Sequence, residues 1–202
     1  PIITQIDKYA EMEFQNEDRT IKDKGDYYDQ TIEKQVNSIS MTLSGGGANL
    51  IADRSISNFA ITYTTGRVAV HSPIWDKFYQ ESRRFQGVFS KIVVNGNVSK
   101  WFNNKFSVFG QAYAQLADKN LESSEKIGLG GPYGVRAYSS SDDSGDIGFI
   151  TNIELRYAIT PKTLISGFYD YGRIRLNKNG WGKNNPFIQR AATGIALEWS
   201  TT

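Results

Sequence analysis

Apolar and polar residues alternate along most of this chain with the two-residue period of β-strands. The clearest example begins at Asp146 and ends at Tyr157. One set of alternate positions holds Ile147, Phe149, Thr151, Ile153, Leu155 and Tyr157, and the other holds Asp146, Gly148, Ile150, Asn152, Glu154 and Arg156. One face of this strand is therefore apolar and the opposite face carries charge. The same period predicts an all-β fold with eight strands at 7–19, 32–46, 56–70, 85–99, 106–116, 146–157, 164–176 and 190–200.

The alternation is compatible with two all-β architectures. In a soluble sandwich the apolar face forms the core, whereas in a membrane barrel it contacts lipid and the charged face lines a polar lumen. Several predicted strands exceed the ~5–6 residues typical of globular proteins and reach the ~9–11 residues that cross a bilayer. The predicted connections also alternate between long and short, as do the external loops and periplasmic turns of outer-membrane barrels. The sequence therefore favours an antiparallel transmembrane β-barrel.

The composition excludes several other classes of protein. The mean hydropathy is −0.45 and no apolar segment approaches the ~20 residues of a membrane-spanning helix, which excludes a helical membrane protein. The net charge is only +2 and the charges are interspersed, so we expect no nucleic-acid partner. Cysteine is absent, which excludes disulfides and thiolate zinc sites.

Enzyme chemistry is poorly supported by the sequence. His71 is the one histidine and has no evident triad partner, so we interpret it as a loop residue. The Ser- and Asp-rich segment 139–146 lacks the spacing of a calcium-binding loop. We therefore expect no catalytic residues, no metal and no cofactor.

A long glycine-rich loop, 122–145, connects the fifth and sixth predicted strands. Its glycines flank Pro132, a density that excludes a helix and permits sharp turns. Residues 129–138 read Leu-Gly-Gly-Pro-Tyr-Gly-Val-Arg-Ala-Tyr, and residues 168–172 of the seventh strand read Phe-Tyr-Asp-Tyr-Gly.

These two sequences resemble paired motifs of the outer-membrane POTRA-barrel superfamily. Residues 129–138 are similar to the sixth-loop motif Val-Arg-Gly-Phe/Tyr, with Ala137 where most members have glycine, and residues 168–172 are similar to Phe-x-Asp-x-Gly. Within the superfamily, this loop form resembles the two-partner secretion transporters of the haemolysin secretion/activation type, as do Ser-Ser-Glu-Lys before it and Glu-Leu-Arg-Tyr after it. The resemblance is strongest over 119–179.

The resemblance implies a barrel of about sixteen strands in the cell outer membrane, surrounded by outer-membrane lipid. Residues 1–202 would form a partial barrel domain, with N-terminal POTRA domains expected upstream. The implied function is secretion of a large partner exoprotein of the hemolysin or adhesin type. Two alternatives stay open: an assembly factor of the same superfamily that inserts other barrels, and a soluble β-sandwich binding module.

The resemblance also implies a site inside the barrel. Loop 122–145 would fold into the lumen, where Arg136 would reach Asp170 and, on the preceding strand, Glu154. Both carboxylates fall on the polar face of their strands, and a planar guanidinium matches a carboxylate through two hydrogen bonds. We expect a structural latch, with the loop tip shaped by Gly130, Gly131, Pro132, Tyr133, Gly134, Val135, Ala137 and Tyr138, the partner motif supplied by Phe168 and Gly172, and the next strand started by Asp146 and Gly148.

The seventh strand contains a conflict with simple alternation. Arg173 and Arg175 have the parity opposite to Asp170, which would point them at lipid. Two explanations are open: Gly172 forms a bulge that resets the alternation, or the strand has left the hydrocarbon by that point.

Overall fold

The structure is a computed structural model that describes residues 8–24, 31–140, 142–180 and 187–200. Eight long strands form one antiparallel sheet in which strands adjacent along the chain are also neighbours, and two short strands pair with each other inside a loop. The strands are β1 Tyr9–Lys24, β2 Thr31–Ala48, β3 Ser55–Val70, β4 Gly87–Trp101, β5 Phe106–Ala117, β6 Ile127–Gly128, β7 Ser144–Gly145, β8 Ile147–Thr160, β9 Thr163–Arg175 and β10 Phe187–Trp199. The predicted all-β fold with eight long strands is confirmed.

The boundaries of the first two strands differ from the prediction. Asp7 lies outside the described residues, while β1 extends to Lys24 and β2 begins at Thr31. The connection between them, 25–30, is therefore no longer than the 49–54 connection that follows β2. The predicted alternation of long and short connections is wrong at this first position, because the polar residues near Lys22 continue the strand ladder.

The connection between the predicted strands 56–70 and 85–99, in which no helix was expected, contains helix α1, Pro73–Glu81. Proline is favourable at the first helical position because its missing N–H needs no partner there, and Asp76 lies in the first turn, where the helix dipole favours an acid. The ring of Tyr79 is buried and packs 4.9 Å from that of Phe85. Among the described residues, no helix is long and apolar enough to cross a membrane.

The two faces of the sheet have opposite character. One face exposes large apolar side chains on neighbouring strands, including Met41, Leu43, Ile61, Val94, Leu155 and Ile195. The other face is covered by α1 and by the long loop 118–146, and its buried residues form two clusters. An exposed apolar face of this extent is unfavourable in water and is what lipid contact requires. The fold is thus a partial antiparallel β-barrel whose outer face is apolar.

The conflict at Arg173 is not caused by a bulge at Gly172. The pairing of β9 with β8 and with β10 runs through Gly172 without a shift in register, and the one irregularity lies near Thr160. Arg173 therefore does point outward, close to the end of β9 at Arg175. Its guanidinium carbon lies 4.3 Å from the centre of the Phe187 ring, which covers the charge with an aromatic face.

Candidate functional site

Loop 118–146 turns back over the inner face of the sheet after β5. Its side chains Leu129 and Val135 are fully buried and pack in one cluster with Ile150 of β8 and Ile174 of β9. The short strands β6 and β7 pair across the loop and hold its two arms together. The loop is therefore a folded unit attached to the wall.

The tip of the loop is a compact turn. Gly131 has φ +96°, in the left-handed region that favours glycine, and its N–H donates to the carbonyl of Tyr138 at 2.8 Å. Gly130 and Val135 form an isolated bridge, and the N–H of Gly134 donates to the Gly131 carbonyl at 3.0 Å. Pro132, Tyr133 and Ala137 are exposed on the tip, with Tyr133 82% exposed.

Gly172 provides the space that this loop occupies. A Cβ atom at Gly172 would lie 2.5 Å from Cδ1 of Leu129 and 3.3 Å from side-chain atoms of Ile150 and Val135. A methyl group at this position would have to displace the Leu129 side chain within the packed cluster. The glycine of the partner motif thus allows the loop and β9 to approach closely.

Arg136 is held by Asp170 through three hydrogen bonds. Its Nε donates to Oδ2 at 2.8 Å, its Nη2 to Oδ1 at 2.7 Å, and its backbone N–H to Oδ2 at 3.1 Å. Its Nη1 donates to Oε1 of Glu154 at 2.5 Å. The Arg136 guanidinium carbon lies 3.7 Å from the centre of the Phe168 ring. The structure therefore brings together Arg136, Asp170, Glu154 and Phe168, and Gly172 lies one inward position beyond Asp170.

Two residues complete this cluster and were missed by the sequence analysis. Asn152 Nδ2 donates both to Asp170 Oδ1 at 2.8 Å and to the Gly134 carbonyl at 2.7 Å, so it ties the loop to the same carboxylate. Arg156 donates from Nε to Glu154 Oε2 at 2.7 Å. Both residues share the polar face of β8 with Glu154, so their parity was the available signal.

The charges of the cluster balance. Two guanidinium groups, Arg136 and Arg156, face two largely buried carboxylates, Asp170 and Glu154. The hydrogen bonds from Arg136 to Asp170, followed by the bond to Glu154 and the two negative charges, raise the pKa of Arg136 despite the opposing effect of its burial. Arg136 therefore keeps its positive charge in the cluster.

Aromatic residues on the polar face of β5 also belong to the site. The Arg156 guanidinium carbon lies 4.5 Å from the centre of the Phe109 ring, and Tyr113 packs against the Leu129 and Val135 cluster. Tyr138 of the loop packs on the same cluster, and its ring lies 5.2 Å from the guanidinium of Arg190. Aromatic residues at the inward positions of β5, Phe109 and Tyr113, were therefore the available sequence signal of an occupied inner face.

Asp146 is more than the start of a strand. It is fully buried, and its Oδ1 accepts from the N–H of Leu121 at 3.1 Å and from Nζ of Lys126 at 3.0 Å. Its Oδ2 accepts from the N–H of Lys178 at 2.7 Å. Gly148 lies next to Ile174, where an added Cβ would be 2.6 Å from Cγ2. Asp146 therefore joins both arms of the loop to the segment after β9.

Two further buried acids lie at the start of the loop. Glu122 is 1% exposed and accepts from Lys34 Nζ at 3.1 Å, Ser123 Oγ at 2.6 Å and the N–H of Ser124 at 2.7 Å. Burial opposes ionisation, but these hydrogen bonds and the Lys34 charge outweigh it and lower the pKa of Glu122 to about 2. Glu125 is also buried.

The described residues contain no group of three or more His, Asp or Glu side chains arranged to hold a metal ion. His71 is exposed just before α1, and its backbone N–H donates to the Glu33 carbonyl at 3.0 Å.

Comparisons with known proteins agree with this architecture. The family model of the haemolysin secretion/activation protein ShlB/FhaC/HecB matches residues 16–201. The heme/hemopexin transporter protein HuxB of Haemophilus influenzae strain Rd is 26% identical over 197 residues, which cover 93% of this chain and 34% of HuxB. A second Haemophilus influenzae HuxB is 28% identical over 203 residues, with the same two coverages. The chain thus spans about a third of the length of these curated relatives.

Solved structures give a weaker likeness. CdiB from Escherichia coli is 11% identical, covers 95% of this chain and 44% of its own, and has a TM-score of 0.48. CdiB from Acinetobacter baumannii is 13% identical, covers 96% of this chain and 42% of its own, and has a TM-score of 0.45. Since the family model matches nearly the whole chain, this protein belongs to the haemolysin secretion/activation family ShlB/FhaC/HecB, the transporters of two-partner secretion.

Proposed function

We propose that this chain forms part of the wall of an outer-membrane transporter that secretes a large partner exoprotein of the hemolysin or adhesin type. Its family membership supports a secretion role, and the exposed apolar face supports contact with outer-membrane lipid. The observation that carries the proposal is the contact of Arg136 with Asp170 and Glu154, because it attaches a long loop to the inner wall instead of leaving it in solvent.

The inner wall has the chemistry of a polypeptide conduit. Hydroxyl groups on neighbouring strands bond to each other, Ser40 to Thr64 at 2.9 Å and Thr42 to Thr62 at 3.0 Å. Such a wall offers an extended chain polar contacts without a large apolar surface on which it would stick. The POTRA domains expected upstream would capture the exoprotein, and folding of the exoprotein outside the cell would drive its transport.

Within this function Arg136 acts as a latch. Its charge-assisted hydrogen bonds hold the tip against β8 and β9, and the stacked Phe168 shields one face of the guanidinium. Loss of Arg136 leaves Asp170 buried without its cation, which disfavours the attached position of the loop. The transporter would then insert but lose its competent conformation.

The test is secretion of the partner exoprotein by cells that carry the full-length gene, as wild type, Arg136→Ala or Arg173→Ala. Arg173 is the matched control because it is a guanidinium on β9 that stacks on Phe187 on the outer side. We expect Arg136→Ala to insert as a heat-modifiable barrel while secretion falls at least tenfold, and Arg173→Ala to secrete normally. Unchanged secretion by Arg136→Ala would refute the latch.

The same cells test the two alternative functions. If the wild type secretes no exoprotein and its deletion depletes other outer-membrane barrels, the protein is an assembly factor. If it partitions into buffer without detergent and shows no heat-dependent gel shift, the fold acts as a soluble binding module. Either result would replace the transporter proposal.

A further inference from the structure

The start of the long loop crosses the inner face of the sheet in the direction away from the Arg136 cluster. Residues 120–126, defined here as the base segment, leave β5 and carry Glu122 and Glu125 toward strands on the other side. Both carboxylates are nearly fully buried. Their partners lie on β1, β2 and β4, whereas Arg136 binds β8 and β9.

The contacts of the base segment are ionic and specific. Glu122 Oε1 lies 3.1 Å from Nζ of Lys34, which is itself buried. Glu125 Oε2 lies 2.9 Å from Nζ of Lys91, and Glu125 Oε1 pairs with Nη2 of Arg19. Lys91 and Gln115 also donate to the Glu125 carbonyl, at 3.0 and 3.1 Å. One short segment is thus bonded to four strands.

The base segment also joins the other long connections at this end of the sheet. Asn120 Nδ2 donates to the Arg83 carbonyl after α1 at 2.7 Å and to the Asn179 carbonyl after β9 at 3.0 Å. Lys126 Nζ donates to the Leu176 carbonyl at 2.7 Å. The buried side chain of Leu121 packs in the cluster that contains Tyr79 of α1. The three long connections therefore meet at residues 120–126.

We propose that Glu122 and Glu125 are positioning residues for the Arg136 loop. Their ion pairs to Lys34, Lys91 and Arg19 fasten the base segment across the inner face and, together with the Arg136 contacts, keep the long-loop mouth of the barrel closed. A carboxylate and a cation are stable in the protein interior only as a pair. Removing the carboxylate charge leaves the cation buried without that ion pair, which disfavours the fastened position of the base segment. This inference rests on the proposed transporter, because a mouth is meaningful only in a pore.

The experiment uses the purified full-length protein with spin labels at Tyr133→Cys on the exposed loop tip and Lys162→Cys in the 161–162 turn. This chain contains no cysteine of its own, and both positions are exposed. The distance distribution between the labels and the conductance in a planar lipid bilayer are measured for wild type and for Glu122→Gln/Glu125→Gln. The matched control is Glu17→Gln, which removes an acid that pairs with Arg19 at 2.9 Å but whose side chain is 43% exposed.

We expect the double variant to lose the narrow distance peak and to conduct more than wild type, while Glu17→Gln keeps both wild-type values. Glu122→Lys alone should broaden the peak, and adding Lys34→Glu should narrow it again, which a general packing defect would not allow. An unchanged distance distribution and conductance in the double variant would overturn the proposal. If the double variant fails to insert, Lys91→Met provides the same test, because it removes the β4 partner of Glu125. An unchanged distance peak in Lys91→Met would also overturn the proposal.

These readouts do not depend on secretion. A wild type that inserts and gives a narrow peak but secretes no exoprotein would refute the proposed function and leave the distance measurement interpretable. A wild type that secretes, with an unchanged peak in the variants, would refute only the role of the base segment.

Discussion

The Arg136 site depends on short hydrogen bonds and on close packing between individual atoms. Asp170 accepts from Arg136 and from Asn152, and Gly172 leaves the volume that Leu129 fills. These positions alternate along β9 and β8 and face inward, where the loop replaces solvent. Small changes in side-chain volume or in hydrogen-bond donors should therefore destabilise the protein strongly at these inward positions and weakly elsewhere on the same strands.

Gly172→Ala should destabilise the attached loop. Its Cβ would meet Leu129 at 2.5 Å, and overpacking of this kind costs about 1–3 kcal/mol. The measurement is the midpoint temperature of the heat-modifiable gel shift. Gly167→Ala is the control, because an added Cβ there meets nothing within 4 Å. Equal midpoints for the two variants would show that the loop does not use the space at Gly172.

Asn152→Asp should weaken the cluster through its hydrogen bonds. The change replaces the amide that donates to Asp170 and to the Gly134 carbonyl with a second carboxylate beside Asp170, and the buried Gly134 acceptor left unpaired costs about 1–3 kcal/mol. We expect a protease to cleave loop 118–146 faster in this variant than in wild type, with both proteins in detergent. Asn95→Asp on the inner face of β4 controls for the added charge, and cleavage as fast in that variant would contradict the explanation.

Among the elements, the sequence predicted the strands well but missed helix α1 and the contacts of the base segment, for a physical reason. The alternation that defines β8 and β9 depends on local parity, which any lipid-facing strand must keep. Contacts such as Glu122 with Lys34 join residues 88 positions apart, and no periodicity reports them. Helix α1 did have local signals, Ser72 followed by Pro73 and aromatic residues at the helical spacing 75, 78 and 79.

The proximity of Arg136, Asp170 and Glu154 was expected from motif resemblance together with parity. Their parity put both carboxylates on the inner face, but only the resemblance indicated that the loop turns inward. Asn152 and Arg156 share that parity and were not singled out, because inward position alone does not distinguish a loop contact from a solvated lumen residue.

The base segment should respond to acid in a defined direction. The folded-state pKa of Glu122 is about 2, below its ordinary value of 4.5, so its stabilising contribution is complete above pH 4.5 and is lost as the pH falls toward 2. The contribution is on the order of a few kcal/mol. Wild type should therefore lose more thermal stability in detergent between about pH 5 and about pH 2.5 than Glu122→Gln does. An equal loss of thermal stability in wild type and in Glu122→Gln would show that groups other than Glu122 cause the acid sensitivity.

At the scale of the whole molecule, the sheet separates two environments. Its inner face is bonded to a loop through ion pairs, and its outer face exposes apolar side chains such as Ile153 and Leu155. Packing of loop and α1 on one face leaves the other face available for lipid. The two edges of the sheet, β1 and β10, carry backbone groups that a membrane barrel pairs with further strands.

A spin-label scan of β8 from Phe149 to Tyr157 in the full-length protein tests this separation directly. In lipid bilayers, labels at Phe149, Ile153 and Tyr157 should collide with dissolved oxygen, which concentrates in hydrocarbon, because these side chains are exposed on the apolar face. Labels at Asn152 and Glu154 should be protected from the oxygen in hydrocarbon, because both positions face inward, whether or not the loop still covers them. Oxygen accessibility should therefore oscillate with a period of two.

Removing the loop contacts adds a second expectation to the scan. In the Arg136→Ala background, labels at Asn152 and Glu154 should be accessible to a water-soluble nickel reagent, while the oxygen accessibility of Ile153 stays high. That combination would mean that the loop leaves an aqueous lumen and that the outer face still contacts lipid. A soluble sandwich predicts the reverse for Ile153, which would then be buried from both reagents, so this one position distinguishes a barrel wall from a protein core.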